Sequence, residues 1–532
     1  MAKNITRVYL LNVPLEDDMK NTLYFANASA QQSYFNSQIG KTYLNVSYQS
    51  NTRTFRCPEM YDNVRQYNYI MWQNTAYSNK WYYAFIKKLT YVNEGYTDVE
   101  YEIDALQTYM FDITIKPSFV EREHTNNDTV GNNTLPENLE LGEYVKNSNG
   151  GMEQIGSTTI WYAMGVSDLV GTVSRPVGGI INSLPNGLYY ILTDNIGNLQ
   201  GISKRYDELG KQTAIYTMFS FPKEILTVGS YDYYQSASWR IETNGQTWTY
   251  NIYVPTVSIG VSKLVDSYNI GVPSGIAKTY VPRNNKLKTF PYRYFNITNN
   301  NGTTVTYHYE DFNGAPNFRQ EGVFCVGCST KLFPTNYKGM NSDDLTYEYG
   351  ITGGKYPTIS WNSDSYTNWL TQNAVNVGLG VANTVVNAGV GLATGNVVGA
   401  GMSFLGGVSS AVSEMYKASL MPDQARGDTN VGDINFSKNK VRYTVYHLSI
   451  KETYARIIDD YFDLFGYKTN RLKVPNVAHR QNWWYTKTVN ANITGNVPND
   501  EMNKIKQAYD NGLTFWRNPA NFLNYSVSNG IV

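Results

Sequence analysis

The clearest alternation in the chain runs from Asp98 to Asp104. Val99, Tyr101 and Ile103 fall on one side, and Asp98, Glu100, Glu102 and Asp104 on the other. A period of two predicts a half-buried strand, with successive carboxylates about 7 Å apart on its wet face. Two β-rich runs precede it, Asn79–Ile86 and Leu89–Val92, split by Lys87-Lys88 and closed by a turn at Asn93-Glu94-Gly95 where glycine can take a positive φ. The same texture of short strands and turns returns from 151 to 290, with turns at Pro176-Val-Gly-Gly179, Pro185-Asn-Gly187 and Asn244-Gly245, and again from Phe290 to Trp361. Between them, the polar Asn/Gly stretch at 125–150 reads as a boundary. The last hundred residues include amphipathic helical spacing. Ile457, Ile458, Tyr461, Phe462 and Phe465 follow the i, i+3, i+4 rule over Tyr454–Phe465, and a second helix over Asp500–Asn511 opens on Asp500 and Glu501 and stops before Gly512.

One stretch breaks the pattern. Residues 365–413 contain no Asp, Glu, Lys or Arg, and within 373–413 Gly, Ala and Val fill 25 of 41 positions. Its length suits one membrane-crossing helix or a tight pair. Gly391, Gly395 and Gly399 form a small-xxx-small row that lets helices approach closely in lipid. Asn376, Asn383 and Asn387 fall on one helical face beside a row of Val377, Val381 and Val385, and Phe404, Leu405 and Val412 extend the apolar surface. Three readings fit: a Gly/Ala/Val hairpin buried in an ordinary core, a permanent membrane anchor, or a concealed segment released into a membrane.

Composition narrows the class. Of 532 residues, 46 are Tyr, 10 Trp and 20 Phe, while charged residues make up only 17%, below the roughly 25% of ordinary soluble domains. Aromatic and β-branched residues favour strands, and Asn and Gly favour the turns between them, so the expected fold is mainly β with some α. Disorder is excluded. Lys+Arg and Asp+Glu both number 44, and a zero net charge argues against a broad nucleic-acid-gripping surface. Three cysteines, Cys57, Cys325 and Cys328, make no disulfide framework and point to synthesis in a reducing compartment. The opening Met1-Ala-Lys-Asn-Ile-Thr-Arg-Val lacks the basic-then-apolar pattern of a secretory signal.

Catalytic signatures are missing. The four histidines (His124, His308, His447, His479) stand in no H-E-x-x-H, H-x-E or zinc-finger spacing, and there is no G-x-S-x-G and no Walker A. Cys325-Val-Gly-Cys328 lacks the second pair of a four-coordinate zinc site and reads as a structural hairpin. Four acids in strict alternation suit a solvated or lumen-lining face better than a cation site or a hydrolytic pair. No cofactor, metal or catalytic residue is expected.

Several blocks carry a family resemblance. They are Asn12-Val-Pro-Leu15, Lys20-Asn-Thr-Leu-Tyr-Phe25, Ile70-Met-Trp-Gln-Asn-Thr-Ala-Tyr-Ser-Asn-Lys-Trp-Tyr-Tyr-Ala-Phe85, Tyr101-Glu-Ile-Asp-Ala-Leu-Gln-Thr-Tyr-Met-Phe-Asp112 and Phe119-Val-Glu-Arg-Glu-His124. Near the end lie Gly466-Tyr-Lys-Thr-Asn-Arg-Leu-Lys-Val-Pro475, Asn511-Gly-Leu-Thr-Phe-Trp516 and Asn524-Tyr-Ser-Val527. The series resembles the distal tail knob proteins of small short-tailed, protein-primed phages of the salasvirus type, strongly at both ends and weakly over 125–365. The resemblance implies a hexameric β-rich tube at the virion tail tip. In that family a long hydrophobic loop before the C-terminal tube segment plugs the lumen, then enters the host membrane as a DNA channel.

On that basis the chain divides into an N-terminal half of the tube domain (1–124), a middle β domain (125–290), a second β segment (291–365), the uncharged membrane-active loop (366–428) and a C-terminal half of the tube domain (429–532). Implied partners are further copies of the chain, other tail proteins, host membrane lipids and DNA passing without tight binding. Asn376, Asn383 and Asn387 would face the pore, and Asp98, Glu100, Glu102 and Asp104 the lumen. Two other readings compete: a tail-tip receptor-binding module, and a cell-wall-degrading enzyme, which would need a carboxylate pair or zinc site that the sequence does not display.

Overall fold

Tyr69-Ile-Met-Trp72 shows no alternation because its strand is covered on both sides. Tyr69 and Met71 enter a core with Phe35, Tyr83, Trp483 and Trp516, while Ile70 and Trp72 enter another with Val8, Phe55 and Val99. The computed structural model describes residues 6–362 and 442–532, apart from 45, 47, 50–51, 148–151, 157–159, 178–186, 229–230, 257–262, 278, 301, 324–327, 342–343, 345 and 357–359. The chain forms two compact units. Unit one comprises 1–143, 281–292 and 451–532, and unit two comprises 144–280 and 293–450.

Unit one carries a seven-stranded antiparallel sheet with strand order Ile39–Leu44, Thr6–Leu11, Tyr69–Asn74, Tyr82–Asn93, Tyr96–Ile103, Thr54–Cys57, Tyr48–Gln49. A second, five-stranded sheet joins the two ends of the chain. Asn21–Leu23 runs parallel to Leu513–Trp516, followed by Trp483–Val489, Ser118–Glu123 and Tyr467–Lys473. The Asn499–Asn511 helix buries Met502, Ile505, Ala508 and Tyr509 against Trp484, Phe515 and Leu106. Each large apolar side chain so buried contributes about 1.5–3 kcal/mol.

Unit two contains a second seven-stranded sheet, covered by the helix Ile196–Glu208 through Leu199, Ile202 and Tyr206. Two further sheets, centred on Arg442–Ile450 and on Asn317–Val323 with Cys328–Pro334, share an aromatic core of Phe295, Tyr307, Phe312 and Phe318.

Several sequence expectations are corrected in detail. The two β-rich runs before Asn93 are one strand, Tyr82–Asn93, whose register slips between Ile86 and Lys88 and leaves Lys87 and Lys88 exposed. Gly95 does not adopt a positive φ, and the turn is closed instead by the Asn93 Oδ1 accepting the Gly95 N–H at 2.9 Å. At Asn244-Gly245 both residues are left-handed (φ 51° and 73°), the conformation of a two-residue hairpin turn. The helix near the C-terminus spans Glu452–Phe465, but its buried face is Ala455, Ile458, Asp459 and Phe462, and Ile457 is 66% exposed. Asp459 occupies the inward position because it holds backbone from another segment, described below.

Gly466 ends this helix at φ 63°, ψ −153°, a conformation open essentially to glycine alone. A Cβ there would lie 2.2 Å from the Glu123 carbonyl oxygen. Gly466→Ala is expected to lower the stability of unit one by about 3 kcal/mol, from strain plus displaced backbone. Gly95→Ala, which meets only Asn93 Oδ1 at 3.7 Å, is expected to stay within about 0.5 kcal/mol. Urea denaturation of both variants checks the contrast.

Candidate functional site

The acidic row is only partly a row. Along Tyr96–Ile103 the residues Thr97, Val99 and Tyr101 are buried, and Asp98, Glu100 and Glu102 face outward. Asp104 lies beyond the strand end, is 3% exposed, and caps the Ala105–Tyr109 helix by accepting the Gln107 N–H at 3.0 Å, with the Tyr69 hydroxyl donating at 2.9 Å. It therefore leaves the wet face predicted for it. Alternation ends where the strand ends, and a carboxylate can cap the helix that follows.

Of the three remaining acids, Asp98 and Glu102 are ion-paired. Arg56 pairs with Asp98 through two hydrogen bonds of 2.8 Å and holds its carboxyl below the usual range. Lys504 donates to Glu102 at 2.8 Å with the same effect, and Lys87 lies 3.7 Å from the same carboxylate. Lys88 stands directly opposite Glu100 in the ladder. This face is a mixed ionic lattice of near-zero charge.

The residues singled out in the uncharged stretch (Val377, Val381, Val385, Gly391, Gly395, Gly399, Phe404, Leu405, Val412, Asn376, Asn383 and Asn387) all lie outside the described residues. Both flanks are described, and both belong to unit two. Ser360–Asn362 is the edge strand of the seven-stranded sheet, paired with Ile215–Pro222. Arg442–Ile450 is an interior strand paired with Arg293–Thr298 and Met152–Gly156. Cys57 is buried and free; Cys328 opens a strand, and Cys325 lies outside the described residues. Among the described residues no cluster of three His, Cys, Asp or Glu side chains could hold a metal, and no helix is long and apolar enough to cross a membrane.

A set of buried carboxylates escaped the sequence reading. The segment Val281–Tyr292 belongs to unit one although unit-two residues flank it on both sides. Asp459, fully buried, accepts the Arg283 N–H (2.8 Å), the Asn284 N–H (3.0 Å) and the Asn284 side-chain amide (2.8 Å). Asp463 accepts from the Asn284 amide at 2.6 Å and pairs with Arg283 at 2.9 Å. Asp128 accepts the Asn285 N–H (3.0 Å) and the Tyr467 hydroxyl (2.6 Å). Glu137 binds Lys286, Arg122 and the Lys468 N–H. Asp128 and Glu137 sit in the polar stretch read as a boundary, and only long-range partners distinguish them from loop residues.

Comparison with known proteins adds identity to this geometry. Residues 4–114, which contain the entire N-terminal seven-stranded sheet, match the family described as the caudoviral major tail protein N-terminus. The solved structure of the bacteriophage C1 tail knob protein, gp12, superposes with a TM-score of 0.63 at 13% identity, covering 99% of this chain and 100% of that one. Fold and matches define a structural component of a phage tail.

Residues 261–530, just over half of the chain, match the family described as Bacillus phage phi29, tail knob protein gp9, C-terminal domain. The chain belongs to this tail knob family. The tail knob protein gp9 of Bacillus phage B103 is 25% identical, covering 95% of both chains. That of Bacillus phage phi29 is also 25% identical, covering 98% of this chain and 97% of its own.

Titration behaviour follows from burial. His124 accepts the Tyr485 N–H on Nδ1 (2.8 Å) with Nε2 3.0 Å from the Asp463 carbonyl oxygen, and burial holds its pKa far below normal. Burial and the Arg480 guanidinium lower His479 to about 4. The unfolded chain protonates histidine near pH 6.5, so it takes up more protons than the folded one below that pH, and stability falls. Asp104 acts in the opposite sense. Burial raises its pKa to about 6, against about 3.9 unfolded, so it adds stability as pH falls from 6 towards 4. Asp104→Asn keeps an acceptor for the helix cap and removes this compensation. Its urea midpoint is expected to drop more steeply than the wild type's between pH 6.5 and 4; equal slopes would show that Asp104 takes up no proton there.

Proposed function

We propose that this tail knob protein forms, with further copies of itself, a ring around a channel for DNA ejection, and that the uncharged segment plugs the lumen before penetrating the host membrane. The observation that carries the reading is the 49-residue run without a charged side chain, 365–413, in a chain of the tail knob family. An apolar surface of that size exposed on a virion would aggregate it, so before ejection the segment is shielded among the protomers inside the channel. In lipid it pairs its backbone polar groups internally, as helices or a helical hairpin. Gly391, Gly395 and Gly399 then make helix–helix contacts, and Asn376, Asn383 and Asn387 face the water-filled pore.

Asp98, Glu100 and Glu102 belong to the channel wall in this reading. The ion pairs of Asp98 with Arg56 and of Glu102 with Lys504 and Lys87, and the place of Lys88 opposite Glu100 in the ladder, leave little excess positive charge to retain phosphates, which speeds transit. Both flanks of the segment are strands of unit two, so its removal costs mainly a change in loop-closure entropy.

Analytical ultracentrifugation is expected to show a ring, a hexamer, and a monomer alone would overturn the assembly. Deleting 371–421 is expected to leave that assembly intact and abolish dye leakage from liposomes. Gly395→Leu should reduce leakage, and Val381→Asp should reduce it further, since a charge at the bilayer centre costs about 2.5–3.5 kcal/mol per helix. Wild-type leakage from both variants would make the segment a passive plug.

A further inference from the structure

Beside the turn that joins Tyr82–Asn93 to Tyr96–Ile103, unit one opens a surface pocket of about 350 Å³ lined by Met60, Tyr61, Asp62, Tyr91 and Glu94. It lies in the size range of small-ligand sites. Tyr91 is 57% and Met60 43% exposed, so both are open to a ligand from solvent. Among the described residues the Glu94 carboxylate has no ion-pair or hydrogen-bonding partner. Asp62 lies 3.6 Å from Arg65, with both side chains largely exposed, a pairing too weak to compete with a bound cation.

The lining decides the ligand class. It offers two phenol rings, a thioether and two carboxylates, and no lysine, arginine or side-chain amide. Anions are repelled. A neutral sugar calls for fixed donors as well as acceptors, and the only side-chain donors in this lining are two rotatable phenol hydroxyls. Two carboxylates fall short of the donor set of a metal, and no metal-holding cluster occurs among the described residues. An alkylammonium group satisfies every surface at once. Its charge is drawn to the ring faces and to Glu94, and its methyl or methylene skin packs on Met60.

We propose that this pocket binds an alkylammonium group. The proposal is independent of the channel reading, since it concerns an exposed site on unit one and requires neither assembly nor the uncharged segment.

The test titrates the full chain, labelled with [13C]methyl-methionine, with choline and with its neutral isostere 3,3-dimethylbutan-1-ol at constant ionic strength. The Met60 signal is assigned by its loss in Met60→Leu. Choline is expected to shift that signal saturably in the millimolar range, and the alcohol to leave it unmoved. Tyr91→Ala and Glu94→Gln are each expected to weaken binding about threefold or more, with thermal unfolding unchanged. No saturable shift, an equal response to the alcohol, or unchanged affinity in both variants would overturn the proposal.

Discussion

Four acidic side chains fix the joint on which the double passage of the chain depends. The backbone leaves unit one at residue 143, returns for Val281–Tyr292, leaves again, and comes back at 451. This twelve-residue return buries Leu287 and Tyr292 and adds a set of polar contacts to them. Asp459, Asp463, Asp128 and Glu137 hold it by its backbone N–H groups, by the Asn284 amide and by Lys286, and the Asn285 amide donates to the Asp128 main-chain carbonyl. The Asp459 and Glu137 side chains are fully buried, whereas Asp463 keeps 21% exposure. A fully buried charge is tolerable only with every partner present, and deleting one leaves its partners unpaired at a cost of about 3–5 kcal/mol. Lys286 shows the tension: burial lowers its pKa while Glu137 opposes the change, and the rings of Phe462 and Tyr467 face its ammonium.

With that joint made, the rest of the architecture separates cleanly. Unit one is closed by strands from both ends of the chain, and the uncharged segment departs from and returns to strands of unit two. Among the described residues, the flanking strands pair with Ile215–Pro222 on one side and with Arg293–Thr298 and Met152–Gly156 on the other.

Local rules made much of this readable. Alternation located Tyr96–Ile103, the Asn-Gly pair located its hairpin, apolar i, i+3, i+4 spacing located the first C-terminal helix, and opening acids with a stop before Gly512 located the second. Their failures share one physical origin. Asp104 and Asp459 look like solvated residues because the groups that satisfy them, the Tyr69 hydroxyl and the Asn284 backbone, lie 35 and 175 positions away. The pairing of Asp128 and Glu137 with residues beyond 280 is equally invisible to a local window. The neutralisation of the acidic face could be guessed for Lys87 and Lys88 nearby, but not for Lys504. The pocket carried no sequence signal, since a turn brings Tyr91 and Glu94 next to Met60 and Tyr61.

The parallel pairing of Asn21–Leu23 with Leu513–Trp516 has a consequence for biosynthesis. The strand Asn21–Leu23 finds its parallel neighbour only about 490 positions later, at Leu513–Trp516. At about 5–20 residues per second, the wait between the first 143 residues and the return of the chain at 451 lasts roughly 15–60 s. Throughout it, the side of the first sheet destined for Trp483 and Trp516 has only the cover that early residues such as Phe25 and Phe35 give it. The nascent protein then exposes part of its apolar core, the kind of surface that chaperones cover, until residues 483–516 emerge.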